Sequence, residues 1–105
     1  MGMLLYLSGH TRPDITFAVN CCARYMFCPK HSHKLALKRI GRYLKQTPDR
    51  GMVMNPSSNV CKIDAYTDAD FAMFGHEDHT DPACAKSRTG FIITFANCPV
   101  FWQSK

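Results

Sequence analysis

The sequence predicts an α+β chain in which an N-terminal helical hairpin is followed by antiparallel strands. Apolar residues recur at helical spacing over residues 15–26 and again over 33–44, and after Gly51 the period shortens toward two. The charge divides at the same place. Residues 1–50 hold nine Lys and Arg against Asp14 and Asp49, a net +7, whereas residues 51–105 hold four against six acids, a net −2. Such an asymmetry suits the first half to a polyanionic partner, nucleic acid above all, and leaves the second half for other work.

Thr11-Arg12-Pro13-Asp14 reads as a helix start: Thr11 is a capping type, Pro13 is tolerated in the first turn, and Asp14 favours the positive end of the helix dipole. Ile15, Val19, Cys22 and Met26 then line one face of a helix of about four turns that must end before Pro29. Ser32 is positioned to cap a second helix running to Gln46, stopped by Thr47-Pro48-Asp49-Arg50-Gly51. On this helix His33, Leu37, Ile40 and Leu44 share one arc with Ala36 and Tyr43 beside it. Lys34, Lys38, Arg39, Arg42 and Lys45 fall on the opposite side.

In the second half, Met52-Val53-Met54 is a short strand candidate, residues 55–59 a polar turn, and residues 60–72 a half-buried strand in which Ile63 and Ala65 alternate with polar neighbours. Residues 75–86 read as a polar loop. Residues 89–95 are β-branched and aromatic, Ala96-Asn97-Cys98-Pro99 turns the chain, and Val100-Phe101-Trp102 opens another strand.

At 105 residues the chain is no longer than one small domain, which excludes a complete polymerase or a multidomain enzyme. Its longest apolar runs, Met3-Leu4-Leu5-Tyr6-Leu7 and Phe91-Ile92-Ile93, fall far short of the roughly 20 residues of a membrane span. No signal peptide is evident, so an intracellular setting with no membrane partner is expected, with the six cysteines reduced and mostly structural.

The sharpest chemical cluster is Asp64-Ala65-Tyr66-Thr67-Asp68-Ala69-Asp70. Carboxylates at a strand end suit Mg²⁺, with Asp68 and Asp70 the candidate ligands. An exposed acidic strand end is the plainer alternative. Cys28-Pro29-Lys30-His31-Ser32-His33 lacks the paired spacings of structural zinc sites. Cys22 and His33 are expected to pack in the core, and His10, His76 and His79 have no evident partner. The cations Lys34, Lys38, Arg39, Arg42 and Lys45, with no acid among them, are the candidate nucleic-acid-binding residues; a solvated helix face would ordinarily mix signs.

Two stretches carry a family resemblance. Leu5-Tyr6-Leu7, Thr11-Arg12-Pro13-Asp14-Ile15 and the run from His33 to Lys45 resemble the region after the polymerase palm in copia-type LTR retrotransposon Pol polyproteins. Ala65-Tyr66-Thr67-Asp68-Ala69-Asp70-Phe71-Ala72, Ser87-Arg88-Thr89-Gly90-Phe91 and Val100-Phe101-Trp102-Gln103-Ser104-Lys105 resemble the opening of the ribonuclease H domain of the same polyproteins, with Phe71 in place of a tryptophan. The resemblance implies that residues 1–50 are reverse transcriptase thumb or connection helices that grip a template–primer duplex. It implies that residues 51–105 are the first strands of a ribonuclease H-like sheet, truncated. Asp68 then corresponds to the first catalytic and metal-binding acid of an incomplete site, and Mg²⁺ is implied on that ground alone.

The expected product is a fragment whose ancestral role is RNA-templated DNA synthesis with RNA-strand degradation. By itself it is expected to be inactive and at most a weak binder of an RNA–DNA hybrid or duplex. Its other partners would be the rest of the polyprotein and, through an uncovered sheet, a second copy. The resemblance places it in a cytoplasmic particle or the nucleus. Two alternatives stand beside it: a protein-interaction module using an open sheet edge and apolar face, and a Mg²⁺-dependent nuclease completed by oligomerisation.

Overall fold

The computed structural model describes residues 1–56, 61–70 and 87–105. The chain divides into two compact units, Met1–Val53 and Met54–Lys105. The first is helical, with α1 at Gly2–His10, a 3₁₀ turn at Pro13–Ile15, α2 at Thr16–Ala23 and α3 at His31–Gln46.

The sequence pattern did not predict α1, because its apolar run is uninterrupted and has no helical period. Its leucines favour the helix intrinsically, and Leu4 and Leu7, three apart on one face, pack onto the core. Its last carbonyls are satisfied from outside. The Thr11 and Arg12 N–H groups both donate to Leu7 O, at 3.0 and 2.8 Å, and the buried Thr16 hydroxyl donates to Ser8 O at 2.8 Å.

The predicted four-turn helix from Thr11 is corrected to a 3₁₀ turn followed by the eight residues of α2. Thr11 does not cap it; its hydroxyl lies 3.5 Å from Leu7 O, on the preceding helix. Beyond Ala23 the bonds tighten to i→i−3, Tyr25 N to Cys22 O and Met26 N to Ala23 O, each 3.2 Å. Pro29 sets only the outer limit, since its ring would collide with the Tyr25 carbonyl of a helix that ran through it.

The C-terminal end expected for α3 at Gln46 is observed, and its start lies two residues earlier than expected. Its N-cap is Lys30 rather than Ser32, which lies inside the first turn. The Lys30 N–H is accepted by His33 Nδ1 at 3.0 Å, so an imidazole stands where a capping box places Glu or Gln. The core of the unit is Ile15, Val19 and Cys22 from one stripe, with Ile40 of α3 against them. Ala36, Leu37, Tyr43 and Leu44 pack against this cluster, so the predicted apolar arc is used except for His33 at its N-terminal end. Burial pushes the Cys22 thiol up, and neighbouring Cys21 adds to the effect. The strand expected at Met52-Val53-Met54 is absent; residues 51–56 take no regular structure.

The second unit carries a three-stranded antiparallel sheet in the order β1 (Ile63–Asp70), β2 (Arg88–Phe95), β3 (Cys98–Ser104). Ala96 and Asn97, at φ 50° and 65°, make the two-residue turn of the β2–β3 hairpin, a primed geometry that matches strand twist. The expected four-residue turn is therefore shorter, and Cys98 and Pro99 already belong to β3. The register steps from Ile93↔Phe101 to Thr94↔Pro99, leaving Val100 as a bulge. The loop expected over residues 75–86 lies outside the described residues.

Candidate nucleic-acid interface

Sixteen residues of α3 place the predicted cations. With its apolar arc spent on the core, the other side must face water. Lys34, Lys38, Arg39, Arg42 and Lys45 are all exposed, and among the described residues none has an ion pair or a hydrogen bond through its side chain. From Lys34 to Lys45 the stripe is about 16 Å long at 1.5 Å rise per residue. One strand of a duplex presents a phosphate about every 3.4 Å over such a length. No Asp or Glu occurs anywhere from residue 15 to residue 48, so the stripe is the centre of a longer acid-free stretch with Arg24 and Lys30 at its start.

The C-terminal end of α3 is fixed by a network the sequence pattern did not reveal. Arg12 is buried, with Nε and Nη2 donating to the two oxygens of Asp14 at 3.1 and 2.9 Å. Nη1 donates to Thr47 O at 2.9 Å and Nη2 to Thr47 Oγ1 at 2.8 Å, so the guanidinium also closes the end of α3. The Tyr43 hydroxyl donates to Asp14 at 2.7 Å and accepts from Arg50 Nη1 at 2.7 Å. The Arg12 hydrogen bonds hold the Asp14 carboxyl down to about 2, with the Tyr43 hydroxyl assisting against the opposing effect of burial. A fixed helix end keeps the cations in register instead of leaving them on a fraying turn. Arg12-Pro13-Asp14 was the available sign, though only as a helix start.

Two histidine readings change. His10, read as partnerless, has Nδ1 2.8 Å from Tyr6 O and stacks on the Tyr6 ring at 4.2 Å. His33 stacks on Tyr25 at 4.2 Å and is only partly buried.

In the second unit, Asp64, Tyr66, Asp68 and Asp70 share one face of β1. Asp68 stands opposite Gly90 and Asp70 opposite Arg88; both aspartates are exposed. Asp64 pairs with Lys62 at 2.9 Å, which pushes the lysine up. β1 is thus more exposed than the half-buried strand expected. Among the described residues no group of three His, Cys, Asp or Glu side chains comes together to hold a metal ion. A two-metal reaction needs more carboxylates than Asp68 and Asp70, so these two do not make such a centre by themselves. The other face joins Ile63, Ala65, Phe91, Ile93, Phe95 and Phe101, with Ile63 69% and Phe101 53% exposed.

Against known proteins, the whole chain is 40% identical to a stretch of the Retrovirus-related Pol polyprotein from transposon RE2 of Arabidopsis thaliana, of which it covers 7%. It is 38% identical, again over its whole length, to 7% of the Retrovirus-related Pol polyprotein from transposon TNT 1-94 of Nicotiana tabacum. The chain belongs to the retrotransposon Pol polyprotein family. As a Pol relative it is also 31% identical over all 105 residues to the Secreted RxLR effector protein 161 of Plasmopara viticola, covering 68% of that protein. This Pol segment matches no family model and no solved structure. Among its described residues no helix is long and apolar enough to cross a membrane.

Proposed function

We propose that this Pol segment binds nucleic acid through the basic face of α3, as the part of a reverse transcriptase that holds a template–primer duplex. The observation that carries the reading is the acid-free face itself, five exposed cations whose side chains have no partner among the described residues. Such a face engages the phosphate backbone without reading sequence. The second unit is proposed as the opening strands of a ribonuclease H-like sheet, with Asp68 as its first metal-binding acid and Asp70 beside it. Its support is the family membership, the antiparallel β1-β2-β3 order and the exposed carboxylates on one face of β1. When bound, Mg²⁺ would supply charge neutralisation at a scissile phosphate.

The test is fluorescence anisotropy with an RNA–DNA hybrid at low and moderate salt. Wild-type chain should bind, and the double variant Lys38→Glu/Arg42→Glu should lose at least tenfold in affinity, because exposed charges reversed on the helix surface leave its core intact. Equal binding by both proteins overturns the reading. Self-association that persists at high salt, without hybrid binding, would instead favour contact through the apolar sheet face.

A further inference from the structure

We infer that Phe27 is a stacking platform for an unpaired base, which gives the basic face a preference for duplex ends bearing a single-stranded overhang. This deepens the nucleic-acid reading and rests on it. Phe27 is 100% exposed, on the connection between α2 and α3. Its neighbours in the chain hold it in a formed turn: Arg24 N bonds Asn20 O at 3.3 Å, and Tyr25 and Met26 continue with i→i−3 bonds. The phenyl ring is therefore presented from an ordered backbone, and leaving it in water forgoes about 1.5–3 kcal/mol of burial.

The charges around it say what would cover the ring. Arg24 lies three residues before it and Lys30 three residues after, followed by His31 and Lys34, where the stripe on α3 begins. Three extended residues reach at most about 11 Å, so the Cα atoms of Phe27 and Lys30 lie no farther apart than about three nucleotide steps of a strand. No carboxylate from residue 15 to residue 48 opposes a polyanion there. Exposed aromatic rings beside a cationic track are how single strands are held, since every base has a face to stack. An apolar protein partner would leave the surrounding cations without complementary charge. Bases inside a duplex are already stacked, so the ring acts at an end or a junction where one is free.

The experiment compares two probes, a blunt RNA–DNA hybrid and the same hybrid with a short single-stranded DNA overhang, against the full chain. Wild type should favour the overhang probe. Phe27→Ala should weaken overhang binding about tenfold, as expected for one base–aromatic stack, and leave blunt binding within about twofold. Phe27→Trp should restore the preference. A preference unchanged in Phe27→Ala, or an equal loss on both probes, overturns the inference while leaving the basic face standing. If Phe27→Ala abolishes self-association in sedimentation and alters neither probe, the ring serves a protein contact and the inference is likewise overturned. Should Lys38→Glu/Arg42→Glu bind both probes like wild type, the basic-face reading fails by itself, and absence of binding by wild type removes both.

Discussion

All three guanidinium nitrogens of Arg12 are engaged, two with Asp14 and two with Thr47 at the end of α3. This accounts for a charged side chain lying buried in a unit with so small a core: the charge is paired and its donors are used. Asp14 carries the pH dependence. Its folded value of about 2 lies below the ordinary 3.8, so the stabilisation it provides is complete above that ordinary value and is lost as the pH falls through about 2. Asp14→Asn should therefore lower the Tm at neutral pH by several degrees and narrow its gap from wild type as the pH is brought from about 5 to about 2. Thermal melts of both proteins across that range check it, and a gap that stays constant contradicts the assigned role. Cys22 and Ile40 were legible from sequence because period and chemistry agreed. Arg12 was not, since a buried arginine is identified by partners 35 residues away in the chain, not by its neighbours.

Among the elements, α3 followed the pattern most closely. Its sixteen residues alternate an apolar arc and a basic one with little ambiguity, so its facing and its C-terminal end both came out. An unbroken apolar run has no period, which hid α1, and α2 is shorter than expected because the apolar spacing continues to Met26 over residues whose bonds have tightened to i→i−3. The strands were legible in place but not in exposure. Alternation in β1 marks two faces without saying whether either is covered, and both of its faces are largely open to solvent. The prediction for this scale concerns Gly41, mid-helix in α3, where an added Cβ would meet nothing within 4 Å. Gly41→Ala should stabilise the helical unit by about 0.5–1 kcal/mol through lost backbone freedom in the unfolded chain, while leaving hybrid affinity unchanged. Chemical denaturation beside the anisotropy assay tests both halves of that statement. A gain in stability accompanied by lost binding would mean that α3 must bend at Gly41 to meet its ligand.

For the whole molecule, charge is the property that sequence and structure tell in the same way. The net +7 of residues 1–50 is largely gathered on one exposed helix face, and the acids of β1 belong to a different unit. Family membership gives this arrangement a context: the Pol polyproteins it matches are about fourteen times longer than the stretch matched at 7%. Candidate-site residues were legible to different degrees for a physical reason. Cations on a helix declare themselves by period, whereas carboxylates on a strand become a site only through partners from elsewhere in the fold. The central claim is electrostatic, and salt dependence tests it most directly. The logarithm of the hybrid association constant should fall linearly with the logarithm of salt concentration, with a slope of about −4.5 if all five stripe cations engage phosphates at about −0.9 each. Removing Lys38 or Arg42 to alanine should shallow that slope by about one each. A wild-type slope near zero, or one indifferent to both substitutions, would contradict the assignment of α3 as the nucleic-acid-binding face.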